Sequence, residues 1–273
     1  MREKNLFDLK DQVAVVTGGA GVLGQEMVKA LSGAGAQVVI LGRNQEKGEA
    51  FAKTIQSDGG RCIFIQADVT RQSDVSQARQ KIHEQFGPVS ILINAAGGNM
   101  SGATIMPDKT FLDLDVEAFR QVVDLNLLGT VIPSHEFAKD FVAARRGVIV
   151  NISSMAASRP ITRVTGYAAA KSAIDNFTRW LSVEMSRKFG EGIRVNAIAP
   201  GFFITEQNRN LLTNADGSFT PRGEAVLAHT PFGRFGNPDD LSGTLIWLCS
   251  DASRFVTGIV VPVDGGFSAF AGV

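Results

Sequence analysis

Tyrosine is nearly absent from this chain: 273 residues hold eighteen phenylalanines but one tyrosine, Tyr167. Phenylalanine fills a core as well as tyrosine does, so a lone hydroxylated ring invites a chemical reading. Cysteine is scarce as well. Cys62 and Cys249 each sit in an apolar stretch and read as small buried hydrophobes, not as a disulfide or a metal pair. The three histidines, His83, His135 and His229, have no ligand-like spacing, so no metal is expected. Neither sign of charge is in excess, with 27 Lys and Arg against 27 Asp and Glu. That removes the electrostatic case for nucleic acid or a membrane surface as partner. No apolar run approaches the roughly 20 residues of a membrane span. Met1 to Lys10 is charged and lacks the apolar core of a secretory signal, and the expected location is the cytoplasm.

At 44% hydrophobic the chain can bury a full core, and one domain over 1–273 is expected. Short runs rich in Val and Ile alternate with longer amphipathic segments. Val13–Thr17, Val38–Leu41, Cys62–Ile65, Ile91–Ile93, Val148–Ile152 and Ile193–Ile198 read as strands, and Gly258–Val263, with its proline, as an edge strand. Helical patterns fill about 22–33, 44–57, 71–86, 115–145 and 165–190. This alternation predicts an α/β fold, a doubly wound parallel sheet of seven strands, with ligands at the carboxyl ends of the strands. The stretch 202–237 is polar and loop-like and is expected to be a substrate lid.

Two local patterns carry chemistry. Tyr167 and Lys171 stand four apart in a helical pattern, so they project from one face and the ammonium can sit beneath the phenol. A cation there favours phenolate. Moving a pKa from about 10 to about 7 takes roughly 4 kcal/mol of differential stabilisation, which would make Tyr167 a general acid/base. A buried tyrosine with an unrelated lysine remains the plainer reading of that pair alone. The second pattern follows the first strand: Gly19, Gly21 and Gly24 satisfy G-x-G-x-x-G between strand and helix. Glycine lets the backbone turn tightly and approach a pyrophosphate resting on a helix N-terminus.

Taken in order along the chain, these residues resemble the short-chain dehydrogenase/reductase family over nearly the whole length. Thr17, Gly18, Gly19, Gly21, Val22, Leu23 and Gly24 lie in a segment similar to the family's T-G-x-x-x-G-x-G loop, with Val22 where its middle glycine usually stands. Asp68-Val69 resembles the adenine-contacting acidic position, and Asn94-Ala95-Ala96-Gly97 the N-[NA]-A-G segment. Asn126, Ser154, Tyr167 and Lys171 match the catalytic tetrad, Tyr167 falling thirteen residues after Ser154 and so favouring it over Ser153. Pro200 and Gly201, followed by Ile204 and Thr205, resemble the segment beside nicotinamide. The resemblance implies a Rossmann-type domain and reversible hydride transfer between a nicotinamide and a secondary alcohol or ketone. Tyr167 would be the proton donor and acceptor, Ser154 would hold the carbonyl oxygen, Lys171 would depress the phenol pKa and bind ribose, and Asn126 would hold a relay water. It also implies a homotetramer.

The cofactor reading turns on the end of the second strand. Ile40-Leu41-Gly42-Arg43-Asn44 carries no carboxylate for a ribose 2′-hydroxyl, whereas Arg43 could pair with a 2′-phosphate. NADP(H) is therefore expected ahead of NAD(H); Arg43 stacking on adenine is the alternative. Within the family the resemblance is to D-mannonate oxidoreductase (fructuronate reductase) types, carried by Ala96–Asn99, Ser158–Arg163, Asn176–Trp180 and Leu211–Gly217. A sugar acid needs a cation for its carboxylate and amides for its hydroxyls. Arg163 is expected in the first role, with Asn99, Gln207, Asn208 and Arg209 completing the shell around Ser154; a solvated loop charge is the alternative for Arg163. Rival readings are a gluconate 5-dehydrogenase-like enzyme, a 3-oxoacyl-carrier-protein reductase and, more remotely, a non-catalytic nucleotide-binding sensor.

Overall fold

The Val- and Ile-rich runs form β1 (Val13–Thr17), β2 (Gln37–Gly42), β3 (Cys62–Gln66), β4 (Ile91–Asn94), β5 (Gly147–Ile152), β6 (Ile193–Pro200) and β7 (Val260–Val263). They are seen in a computed structural model that describes residues 5–206 and 208–272. The seven strands pair in parallel in the order β3-β2-β1-β4-β5-β6-β7. The winding reverses between β1 and β4, where the loops leaving adjacent strands diverge and open a crevice. Pro262 is confined to the edge strand, the one place where a missing ladder donor is tolerated.

Between the strands run α1 (Val22–Gly33), α2 (Gln45–Ser57), α3 (Gln72–Gln85), α4 (Val116–Val123), α5 (Gly129–Ala144) and α6 (Thr165–Phe189). Successive strand residues face opposite sides. Val16, Ile40, Ile93 and Val150 pack with Met27 and Leu31 on one side. Val15, Val39, Leu92 and Ile149 pack with Val75, Phe137 and Phe141 on the other. Full burial of each such side chain contributes about 1.5–3 kcal/mol, which makes both faces necessary to the fold. Side chains set several helix starts. Asn44 Oδ1 accepts from Lys47 N at 2.9 Å to open α2, and Asp115 Oδ1 accepts from Glu117 N at 2.9 Å to open α4.

The helix expected over 115–145 is interrupted by a π-helical turn, Asp124–Leu128. Asn126 causes it: its Nδ2 donates to Val122 O at 2.8 Å, taking the carbonyl that an α-helical backbone bond would use.

Residues 202–237 are more ordered than their composition predicts. They hold α7 (Arg209–Leu212) and α8 (Pro221–Ala228), joined by bridges between Phe203 and Gly236 and between Thr213 and Phe219. Leu212, Val226 and Phe235 form a small apolar cluster with Phe202, Ile204 and Leu227. Thr220 caps α8 through Gly223 N at 3.1 Å, and Pro221 fills its first turn. A further helix, α9 (Ser242–Cys249), covers β5 and β6 and was not legible as a helix. Among the described residues no helix is long and apolar enough to cross a membrane.

Candidate active site

At the carboxyl ends of β1 and β4 lies a cleft of about 1080 Å³. Its floor is the loop between β1 and α1. Gly18 has φ +67°, and a Cβ there would come 2.8 Å from Ala96 Cα; at Gly24 one would meet Gly18 O at 2.3 Å. Side chains at those places would fill the cradle. The first turn of α1, Val22 to Gly24, borders the cleft without a side-chain cap, so its N–H groups stay open to an anion. Val22 starts the helix with ordinary negative φ, so a β-branched residue stands there without strain. These features fit a dinucleotide pyrophosphate.

Some motif residues turn inward. Thr17 is fully buried, and its Oγ1 accepts from Ala95 N and Ala96 N, both at 3.1 Å, tying the two loops together. Gly19 packs against Val28 and Ile40. Asn94 Nδ2 donates to Ser134 Oγ at 2.9 Å and to Asn151 Oδ1 at 2.8 Å, below the cleft. Ala95, Ala96 and Gly97 do line the cleft.

At the end of the cleft beyond β2, Arg43 and Lys47 stand on the wall, and no carboxylate occupies the last position of the strand. Asp68 and Val69 face them after β3. Burial would raise the Asp68 pKa, but bonds from Thr70 Oγ1 (2.7 Å) and Thr70 N (2.9 Å), with the nearby Arg43 charge, hold it below the usual carboxylate value. Lys47 Nζ reaches Glu206 across the cleft mouth at 3.5 Å.

The centre is built by β5 and α6. Ser154 follows β5, its hydroxyl beside the half-buried Tyr167 phenol and accepting from Ala156 N at 3.2 Å. Ser153 turns away and bonds the buried Asp175. Lys171, one turn beyond Tyr167, is buried; its Nζ donates to Ile152 O at 2.7 Å and lies 5.4 Å from the Tyr167 ring centroid. Burial lowers the Lys171 pKa to about 8, against the opposing charge of Asp175. The phenol differs from the sequence expectation: burial pushes its pKa up, and only the neighbouring Ser154 hydroxyl pulls it down. Asn126, fully buried, donates to Gly98 O at 2.7 Å and accepts from Gly98 N at 3.1 Å, fixing the loop after β4.

The remaining wall comes from Asn99, from Pro200, Gly201 and Thr205, and from the segment through α8. Asn99 Nδ2 donates to Thr104 Oγ1 at 2.8 Å, while its buried Oδ1 has no partner among the described residues. Ile204 packs into the segment's own apolar cluster. Arg163 lies off the cleft wall, with φ +78°, a conformation costing about 1–2 kcal/mol, and its carbonyl accepts from Ile105 N at 3.0 Å. Arg209 is exposed at the start of α7 and also lies off the wall, and Gln207 lies outside the described residues. An arginine that the sequence reading missed, Arg222 on the first turn of α8, does line the cleft. Its one sequence signal was the Thr220-Pro221 helix start.

Comparison with known proteins agrees with this geometry. The model of the short chain dehydrogenase family matches residues 12–216. "Uncharacterized oxidoreductase UxuB" of Bacillus subtilis (strain 168) is 45% identical, covering 97% of this chain and 98% of its own length. The crystal structure of a "putative D-Mannonate oxidoreductase" from Haemophilus influenza with bound NAD has TM-score 0.91 and 40% identity, covering 97% of this chain and 98% of that one. A gluconate 5-dehydrogenase from Burkholderia cenocepacia J2315, in complex with NADP and tartrate, has TM-score 0.86 and 30% identity over 98% of this chain and 99% of that one. The chain belongs to the short-chain dehydrogenase family and is an NAD(P)-dependent oxidoreductase.

Proposed function

We propose that this enzyme reduces the keto group of a sugar acid, of the D-fructuronate to D-mannonate type, and prefers NADP(H). The observation that carries the reaction is the Tyr167 phenol, beside Ser154 with Lys171 beneath it, at the cleft beside the glycine cradle. Bound nicotinamide supplies or takes the hydride. Ser154 Oγ positions the carbonyl oxygen, and Tyr167 gives it the phenolic proton. Because burial raises the phenol pKa, Tyr167 is protonated at neutral pH and ready for the reductive direction. Lys171, near 8, resupplies the proton. The unused lone pair of Asn126 Oδ1 accepts from a relay water. Tyr167→Phe removes the proton and is expected to lower kcat by about 10²–10⁴-fold while cofactor affinity holds. A mutant with undiminished turnover would overturn the assignment.

The acid substrate is supported by relatives named for mannonate and gluconate, one of them holding tartrate. The coenzyme preference rests on Arg43 and Lys47 at the end of the cleft beyond β2, since solved relatives hold NAD in one case and NADP in the other. Arg43→Asp is expected to shift the kcat/KM ratio towards NADH, and an unchanged ratio would remove that preference. The segment 202–237 serves as the lid. We place the enzyme in the cytoplasm as a homotetramer, with the exposed Trp180 and Val183 of α6 as contact residues.

A further inference from the structure

Arg222 is held by two bonds to one residue: Nη1 donates to Thr162 Oγ1 at 2.9 Å and Nη2 to Thr162 O at 3.3 Å. Nε and one hydrogen on each of the other nitrogens remain uncommitted. Among the described residues no carboxylate pairs with Arg222 or with Arg163. Arg163 stands next to Thr162 in the chain; burial, with the Arg163 charge, holds Arg222 below the ordinary guanidinium value. Arg222 on the wall and Arg163 behind it thus place two cations near this end of the cleft, with no carboxylate paired to either among the described residues. An anion there would be attracted by both and would meet the planar donors of Arg222, a geometry suited to a carboxylate. Asn99 lines the same cleft, its Nδ2 donating to Thr104 Oγ1 at 2.8 Å.

We propose that Arg222, supported by Arg163, recognises the substrate carboxylate and makes the cleft select hydroxy acids over neutral polyols. This rests on the reading of the cleft as a sugar-acid site and names the residues that set that class. Arg163 acts from behind the wall as a positioning charge. Arg222 belongs to the lid, so the anion it binds also ties α8 to the segment that runs into Tyr167.

The test is calorimetric, on enzyme saturated with NADPH, where alcohol-level ligands bind without reacting. D-gluconate is compared with D-glucitol, which has a hydroxymethyl group in place of the carboxylate. Wild type is expected to bind gluconate at least about tenfold more tightly, and Arg222→Gln to lose about ten- to hundredfold for gluconate alone. Arg222→Lys should keep part of the discrimination. Thr162→Val, which removes one tether and no charge, should keep the acid-over-neutral ratio. Equal affinities in wild type, or equal weakening of both ligands in Arg222→Gln, would overturn the proposal and leave Arg222 a tether for the lid. Turnover of D-fructuronate separates the two levels. A wild type that turns it over, with Arg222→Gln keeping its KM, sinks the Arg222 inference alone. A wild type inactive on keto acids but discriminating for gluconate sinks the reaction and keeps the anion site.

Discussion

Lys171 stands between two groups of opposite effect. Desolvation lowers its pKa to about 8, and Asp175, one helical turn further on α6, opposes that fall. Asp175 is itself pushed up by burial and restrained by the Ser153 bond and the Arg179 and Lys171 charges. In the folded state Lys171 holds its proton less well than in the unfolded chain. Its cost to stability is thus full below about 8 and fades as pH rises from there to the ordinary lysine value. In the proposed reaction activity runs the other way, since carbonyl reduction would draw on the proton that Lys171 passes on. The kcat/KM for reduction is expected to fall as pH rises through about 8. Asp175→Asn removes the charge that favours the ammonium, so that limb moves to lower pH by on the order of one unit. A limb that stays in place in Asp175→Asn would show that Lys171 does not govern it.

At the scale of elements, β6 is fastened to the end of α9 by a buried arginine. Arg194 Nη1 donates to Leu248 O and Ser253 Oγ, both at 2.9 Å, and Nη2 to Ser250 O at 3.1 Å. Arg194→Leu removes all three bonds of this clamp and is expected to cost about 2–3 kcal/mol, read as a lower urea midpoint with unchanged slope. An unchanged midpoint would mean that the clamp holds nothing. The elements it joins differ in how plainly the sequence announces them. β6 was legible because a strand buried on both faces is written in continuous apolar residues. α9 was not: Leu-Ile-Trp-Leu-Cys lacks a polar face, and periodicity cannot separate a short buried helix from a strand. α8 was hidden for the opposite reason, since its polar surroundings masked the Thr220-Pro221 cap.

For the whole molecule, the two halves of the cleft were unequally legible. The proposed cofactor half is local: one glycine loop and the residues after β2 and β3 write it in short segments, although Thr17 proves to brace the loops and Asn94 to tie β4 to α5 and β5. The substrate half is assembled from distant chain. Spacing from Tyr167 singled out Arg163, but tertiary packing sets Arg163 behind the wall and brings Arg222 from α8 to line the cleft. Lys47 of α2 pairs with Glu206 of the segment after β6 at 3.5 Å. The measurement that bears most directly on the whole account is the loss of reduced-nicotinamide absorbance. NADPH and NADH are each offered with D-fructuronate, 5-ketogluconate and an acetoacetyl thioester. The expected result is rapid oxidation with a keto sugar acid, faster with NADPH. Turnover with the thioester alone would contradict it, moving the enzyme to fatty-acid chemistry and leaving Arg222 without a carboxylate to bind.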